Sequence, residues 1–339
     1  MFESTISSFG GGSAGRRRGG RFRIRAAVSM AIVALAFAGG PAQAEPQAPA
    51  PVPSQGCGSS APEPGQTSNT FRGTEKSGQY LLSVPAGADR PLPLVIALHG
   101  LLENKEIAEL GSGFGEHGAR NGFITVTPQL DRLGVAQWEY GPGSADLEWV
   151  MQVLTHVEAD LCVDTGRVYV AGLSMGAFAA SSIGCRFADR VAAIAAVSGL
   201  RDFTWCAPAR AVPVIAFHGT DDAIVPYAGQ GGTGSASGSA DENSGVSTSP
   251  VTDNAAAWAR RDGCTGGPAR QTLASDVVVD RYTCPAGVDV HLYSILGGGH
   301  IWPGTSSSLY PSFIVGNNTT SIDATASIWE FFRTHPAGS

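Results

Sequence analysis

From residue 79 onward the chain is marked by short apolar, β-branched runs: YLLSV at 80–84, LVIAL at 94–98, FITV at 123–126, RVYVAGL at 167–173, VAAIAAV at 191–197, VPVIAF at 212–217 and VHLYSIL at 290–296. Several are apolar at consecutive positions, the pattern of strands covered on both faces of a parallel sheet. Helical patterns separate them. Between Ser144 and Asp160, Leu147, Val150, Met151, Leu154 and Val157 fall at three- and four-residue spacing, which predicts a helix with one apolar stripe and Ser144 as its N-cap. A second helix is predicted over 251–262, ending before Gly263, and a last one over 322–334, behind Ser321 as cap, with Ile322, Ile328, Phe331 and Phe332 as its apolar face. Strands alternating with helices predict an α/β fold, with a mostly parallel central sheet and helices on both faces.

Before residue 79 the pattern is different. Six arginines between Arg16 and Arg25 precede an apolar run of 13 residues, Ala26 to Ala38, and Ala42-Gln43-Ala44 then supplies small residues for a peptidase. Charge, length and cleavage pattern predict a secretory signal peptide over 1–44. The run is too short for a membrane span, which needs about 20 apolar residues, so no membrane anchor is expected in the mature form. Both Sec and twin-arginine export fit the arginine cluster. Residues 45–66, rich in Pro, Ala and Ser, read as an extended leader, and 67–339 as a single catalytic domain. Within it, 228–249 is a Gly/Ser-rich insert in which Val246 is the only large apolar residue. No strand leads into its glycines, so it reads as a flexible surface loop and not as a phosphate-binding turn.

Composition narrows the partners. The chain of 339 residues is 43% hydrophobic and 15% charged with a net charge of −7, too apolar for a disordered chain. Removing 1–44 takes away six arginines and Glu3 and leaves 16 basic against 28 acidic side chains, a net charge of −12. So acidic a chain does not suit nucleic acid or an anionic membrane. All six cysteines, Cys57, Cys162, Cys185, Cys206, Cys264 and Cys284, follow the predicted cut. An even number in an exported chain predicts three disulfides, with about 15 connectivities open. No metal-ligand spacing is present.

The chemistry concentrates in one constellation. Gly172-Leu173-Ser174-Met175-Gly176 matches GxSxG, as does Gly11-Gly12-Ser13-Ala14-Gly15 in the arginine-rich leader. Context separates them: a predicted strand ends at Leu173 and a small-residue helix begins at Met175, which places Ser174 on a sharp strand-to-helix turn. Glycines at 172 and 176 are required because side chains would collide across that turn. A serine hydroxyl needs a base, and His300, in GGGHIWPG after the last strand, is positioned to be one. Asp222, in HGTDDAIVPY, lies between them and gives the order Ser, Asp, His of an α/β-hydrolase. Asp221 competes as the acid but reads as a turn former. Two backbone amides should bind the oxyanion: that of Met175, and that of Leu101 in the loop after an earlier strand.

With HGLLEN, GLSMGA followed by CRFADR, HGTDDAIVPY and GGGHIWPG on one chain, the sequence resembles the secreted polyhydroxybutyrate depolymerase and feruloyl esterase group of α/β-hydrolases, the esterases related to carbohydrate esterase family one. The likeness runs from about Gly78 to His335. The resemblance implies hydrolysis of carboxylic esters with Ser174, Asp222 and His300 as the triad, and no metal or organic cofactor. Because the Gly/Ser insert is long and no polymer-binding module is expected, soluble or amorphous esters are expected over crystalline polyester. The implied fold suggests the disulfides Cys162–Cys185, Cys264–Cys284 and Cys57–Cys206, and Trp302, Trp138 and Tyr140 are candidate walls of the substrate pocket. The expected activity is that of a secreted serine esterase. Acyl transfer by the same triad and a non-catalytic binding protein on this scaffold are the alternatives.

Overall fold

The structure, a computed structural model, describes residues 49–60, 62–229, 249–305 and 310–337. The predicted signal peptide and all but the ends of the 228–249 insert lie outside the described residues.

The chain enters with β1 (Gly65–Arg72), β2 (Ser77–Val84) and β3 (Leu92–Leu98), followed by two short helices, α1 (Lys105–Ser112) and α2 (Phe114–Asn121). Then come β4 (Ile124–Leu130), α3 (Ala145–Asp160), β5 (Val163–Leu173), α4 (Met175–Arg186), β6 (Ala193–Val197) and β7 (Val214–Gly219). After the insert follow α5 (Val251–Arg261), β8 (Thr265–Ala274), β9 (Val277–Thr283), β10 (Val290–Ile295), α6 (Ser312–Val315) and α7 (Ala324–Arg333). Among the described residues the strands join one open ten-stranded sheet in the order β1-β2-β4-β3-β5-β6-β7-β10-β9-β8. From β4 to β10 neighbouring strands are parallel, and the pairs at each edge are antiparallel.

The consecutive apolar runs arise because both faces of this sheet are covered. Along β3, Leu94, Ile96 and Leu98 join a core with Leu154 of α3, Ile183 of α4 and Trp258 of α5. Val95 and Ala97 alternate onto the opposite face, where they meet Phe114 of α2 and Ile328 and Phe332 of α7. Each such large side chain taken fully from water stabilises the fold by about 1.5–3 kcal/mol before entropy is subtracted.

The edges escape this rule. Every residue of β8 from Thr265 to Leu273 is exposed, and β1 reaches the core only through Phe71. Polar edge strands of this kind carry no apolar period to read. Neither do α1 and α2, which are separated by Gly113 in the left-handed region at φ 64°. The predicted helix over 322–334 starts later, at Ala324, and its cap is Asp323, not Ser321: the Asp323 side chain accepts from Ala326 N–H. Ser321 N–H is drawn instead to the Thr319 hydroxyl in the preceding turn.

The expected leader is also revised. From Pro49 it is anchored, and Gly65 and Gln66 already belong to β1. Ser54 N–H donates to Val163 O at 2.8 Å, and Gly56 N–H to Glu158 O at 2.9 Å. This path sets Cys57 against Cys162, so the disulfides are Cys57–Cys162, Cys185–Cys206 and Cys264–Cys284. The expected Cys162–Cys185 and Cys57–Cys206 are therefore corrected. With Cys162 taken by the N-terminal segment, Cys185 in the last turn of α4 joins Cys206 in the loop after β6.

Candidate active site

The parallel strands end along one edge of the sheet, and the loops that leave β3, β5, β7 and β10 there carry the candidate residues. Ser174 lies between β5 and α4 with φ 57° and ψ −120°, a conformation that costs a non-glycine residue about 1–3 kcal/mol. Its N–H donates to Val197 O at 2.9 Å. The turn closes only because its flanks lack side chains: a Cβ on Gly172 would lie 2.3 Å from the Gly176 carbonyl, and one on Gly176 would lie 2.2 Å from Leu98 O. Ser174 therefore stands at the N-terminus of α4, where the helix dipole favours negative charge.

His300 sits in the turn after β10, its N–H bonded to Val315 O. Its Nδ1 meets Asp222 Oδ2 at 2.8 Å, while Asp222 Oδ1 accepts the N–H groups of Ile224 and Val225 at 2.9 and 2.8 Å. Burial pushes the Asp222 carboxyl up, but hydrogen bonds from His218 and His300 and the charge of His300 hold it below the ordinary carboxylate range. His218, near the end of β7, has a hydrogen-bonded supporting role. Its Nε2 lies 2.8 Å from Val225 O and 3.4 Å from Asp222 Oδ2, so it braces the loop that holds the acid.

Ser174 and His300 line one cavity of 260 Å³. The Ser174 hydroxyl has no hydrogen-bond partner among the described residues. In the loop after β3, Gly100 N–H donates to Glu103 Oε2 at 2.6 Å and Leu102 N–H to Ala136 O at 2.9 Å. Leu102 itself is held at φ 67°. The Leu101 amide between them, and that of Met175, have no acceptor among the described residues, so both are free for a ligand.

The aromatic candidates separate. Trp302 lines the cavity, fixed by its Nε1 donating to Thr325 Oγ1 at 2.9 Å and by an edge contact with Phe114. Trp138 and Tyr140 do not line it, which corrects the expectation for both. Tyr140 is packed among Phe178 and Phe203 in the core. Trp138 is buried against the His99 ring and donates from Nε1 to His99 O at 3.0 Å, so it supports the loop from behind. His99, its pKa lowered to about 4 chiefly by burial, is neutral there. The wall residues that sequence reasoning missed include Glu103, Ile107, Ile224, Tyr310 and Ile314. They lie in loops and short helices, where no spacing marks them.

Residues 78–226 match the family model of the esterase PHB depolymerases. That stretch contains Ser174 and Asp222, and His300 lies beyond it. Feruloyl esterase B of Piromyces equi is 29% identical over 238 residues, 66% of this chain and 42% of its own length. Poly(3-hydroxyalkanoate) depolymerase C of Paucimonas lemoignei is 30% identical over 129 residues, 36% of this chain and 31% of its own. The chain thus spans less than half the length of either relative. Among solved structures, acetyl xylan esterase from Aspergillus awamori superposes with a TM-score of 0.57 at 11% identity, over 79% of this chain and 99% of that one. At that identity the match speaks for the fold alone, which is that of the α/β-hydrolases.

Proposed function

We propose, for a chain that is a relative of the esterase PHB depolymerase family and has the α/β-hydrolase fold, that it is a secreted serine hydrolase of carboxylic esters. The observation that carries the reading is that the strained Ser174 turn and His300, whose Nδ1 meets the buried Asp222, open on the same cavity. Asp222 accepts the Nδ1–H of His300, which leaves Nε2 as the base. Ser174 attacks the ester carbonyl, His300 takes its proton and returns it to the departing alcohol, and water then releases the acyl group by the same steps in reverse. The amides of Leu101 and Met175 face the developing oxyanion, and loss of one such donor costs about 3 kcal/mol of barrier.

Export is supported by the N-terminal arginines and apolar run and by the three disulfides. Among the described residues no helix is long and apolar enough to cross a membrane. The walls of the cavity, chiefly Leu101, Ile107, Leu173, Trp302 and Ile314, suit a compact apolar or aromatic acyl group. A feruloyl or hydroxyalkanoyl ester, the substrates named for the two relatives, satisfies that description.

Replacing Ser174 by Ala should lower kcat on p-nitrophenyl butyrate at least about a thousandfold and abolish labelling by a fluorophosphonate. A Ser174→Ala protein that keeps most of its activity would sink the assignment.

A further inference from the structure

We propose that Glu103 sets the acyl preference of this site: its carboxylate offers one oxygen to the inner end of the cavity as acceptor for a hydroxyl on the acyl half of the ester. The inference rests on the esterase reading above and goes beyond it by assigning a residue and a substrate feature.

Glu103 is only 7% exposed and, among the described residues, is the one acidic side chain in the walls of the cavity. Its Oε2 is fixed by Gly100 N–H at 2.6 Å, and its own N–H returns to Gly100 O at 3.3 Å. The carboxyl is therefore held in one orientation. Its other oxygen, Oε1, has no partner among the described residues, yet it is not among the side-chain atoms sealed inside the protein without one. Glu103 itself lines the cavity, and on this proposal the open side of that oxygen lies there.

Glu103 stands at the closed end. With Ile107, Gly111, Leu173 and Trp302 it walls both the catalytic cavity and a small void behind it, against the ends of β3 and β5. The opposite side opens past Ile224 and Ile314, each about half exposed. The alcohol half of a saccharide or polyester is large and must extend to solvent, which leaves the closed end to the acyl group. A carboxylate stripped of water among apolar walls is costly unless a donor reaches it. Burial raises its pKa, against the opposing effects of Gly100 N–H and His300. A purely hydrocarbon acyl group leaves Oε1 unsatisfied, whereas a hydroxyl satisfies it. Sites built to bond a substrate hydroxyl discriminate against the analogue that lacks it.

The test compares kcat/KM for two ester pairs that differ by one hydroxyl: p-nitrophenyl 3-hydroxybutyrate against p-nitrophenyl butyrate, and methyl 4-hydroxycinnamate against methyl cinnamate. The wild-type enzyme should favour the hydroxylated member of at least one pair about tenfold or more, the value of a hydrogen bond to a charged group. Glu103→Leu should bring that ratio close to one, and Glu103→Gln, which keeps an acceptor, should retain part of it. Slackening of the oxyanion loop in these variants lowers both members of a pair together and leaves the ratio alone. A wild-type ratio near one in both pairs overturns the inference even if Glu103→Leu does not fold, and so does a ratio unchanged in Glu103→Leu. Hydrolysis that persists in Ser174→Ala overturns the esterase reading itself, a separate outcome.

Discussion

Among single residues Asp222 carries the most connections in the candidate site. Ile224 and Val225 hold one of its oxygens, His300 meets the other, and His218 stands 3.4 Å from it. Asp222→Asn would keep the two backbone bonds, because an amide oxygen accepts them equally well. Its NH2 would then face His300 Nδ1 and select the wrong tautomer, so kcat should fall about 10⁴-fold with little change in the melting temperature. An unchanged kcat in a correctly folded variant would remove Asp222 from the triad. At this scale the sequence was legible where a motif has an obligatory geometry, as at Ser174. Asp221 and Asp222 could not be separated rigorously by order alone. The structure turns Asp222 into the protein, while Asp221 meets the hydroxyl of its neighbour Thr220. Glu103 had no signal at all, since a lone Glu in a loop looks like any solvated charge.

At the scale of elements, α5 ends on a buried acid with a consequence for stability. Asp262 caps the helix, its Oδ1 accepts from Val212 N–H at 3.2 Å, and its Oδ2 has no partner among the described residues. Burial raises its carboxyl from 3.8 to about 7, against the lowering by the Val212 N–H and by Arg261 and Arg210. The folded state therefore holds this proton more tightly than the unfolded chain does. The stabilising effect is complete below the unfolded value and is lost as pH rises through the folded one. The wild-type chain should thus lose more stability between pH 4 and pH 8 than Asp262→Asn, in which the titration is absent. Parallel slopes for the two proteins in urea unfolding across that range would refute the assignment. The legibility of elements follows burial in the same way: β3, β5, β6 and β7 were readable because two packed faces demand continuous apolar runs, and β1 and β8 were not, because edge strands are held mainly by backbone bonds.

For the whole molecule the decisive constraint is the staple between Cys57 and Cys162, which spans 105 positions. It ties the N-terminal segment to the start of β5, whose far end delivers Ser174. Closing a loop of that length removes chain entropy worth about 4–5 kcal/mol in the unfolded state, so replacing both cysteines by Ser should lower the melting temperature markedly. Breaking Cys264–Cys284, across 20 positions, should cost about 1.5 kcal/mol less on the same scaling. Equal losses from the two would argue that native contacts of the N-terminal segment dominate instead. The sequence by itself determined the α/β alternation, the strand-to-helix turn at Ser174 and the acidic, cysteine-paired character of the chain. All of these follow from local sterics, from hydrophobic period and from composition, which adjacent residues express without help. Only the tertiary structure decided which cysteines pair, which aspartate meets His300, that Trp138 packs behind the loop after β3, and that Glu103 lines the same cavity as Ser174. Those outcomes depend on which segments far apart in the chain come within bonding distance, and no local pattern encodes that distance.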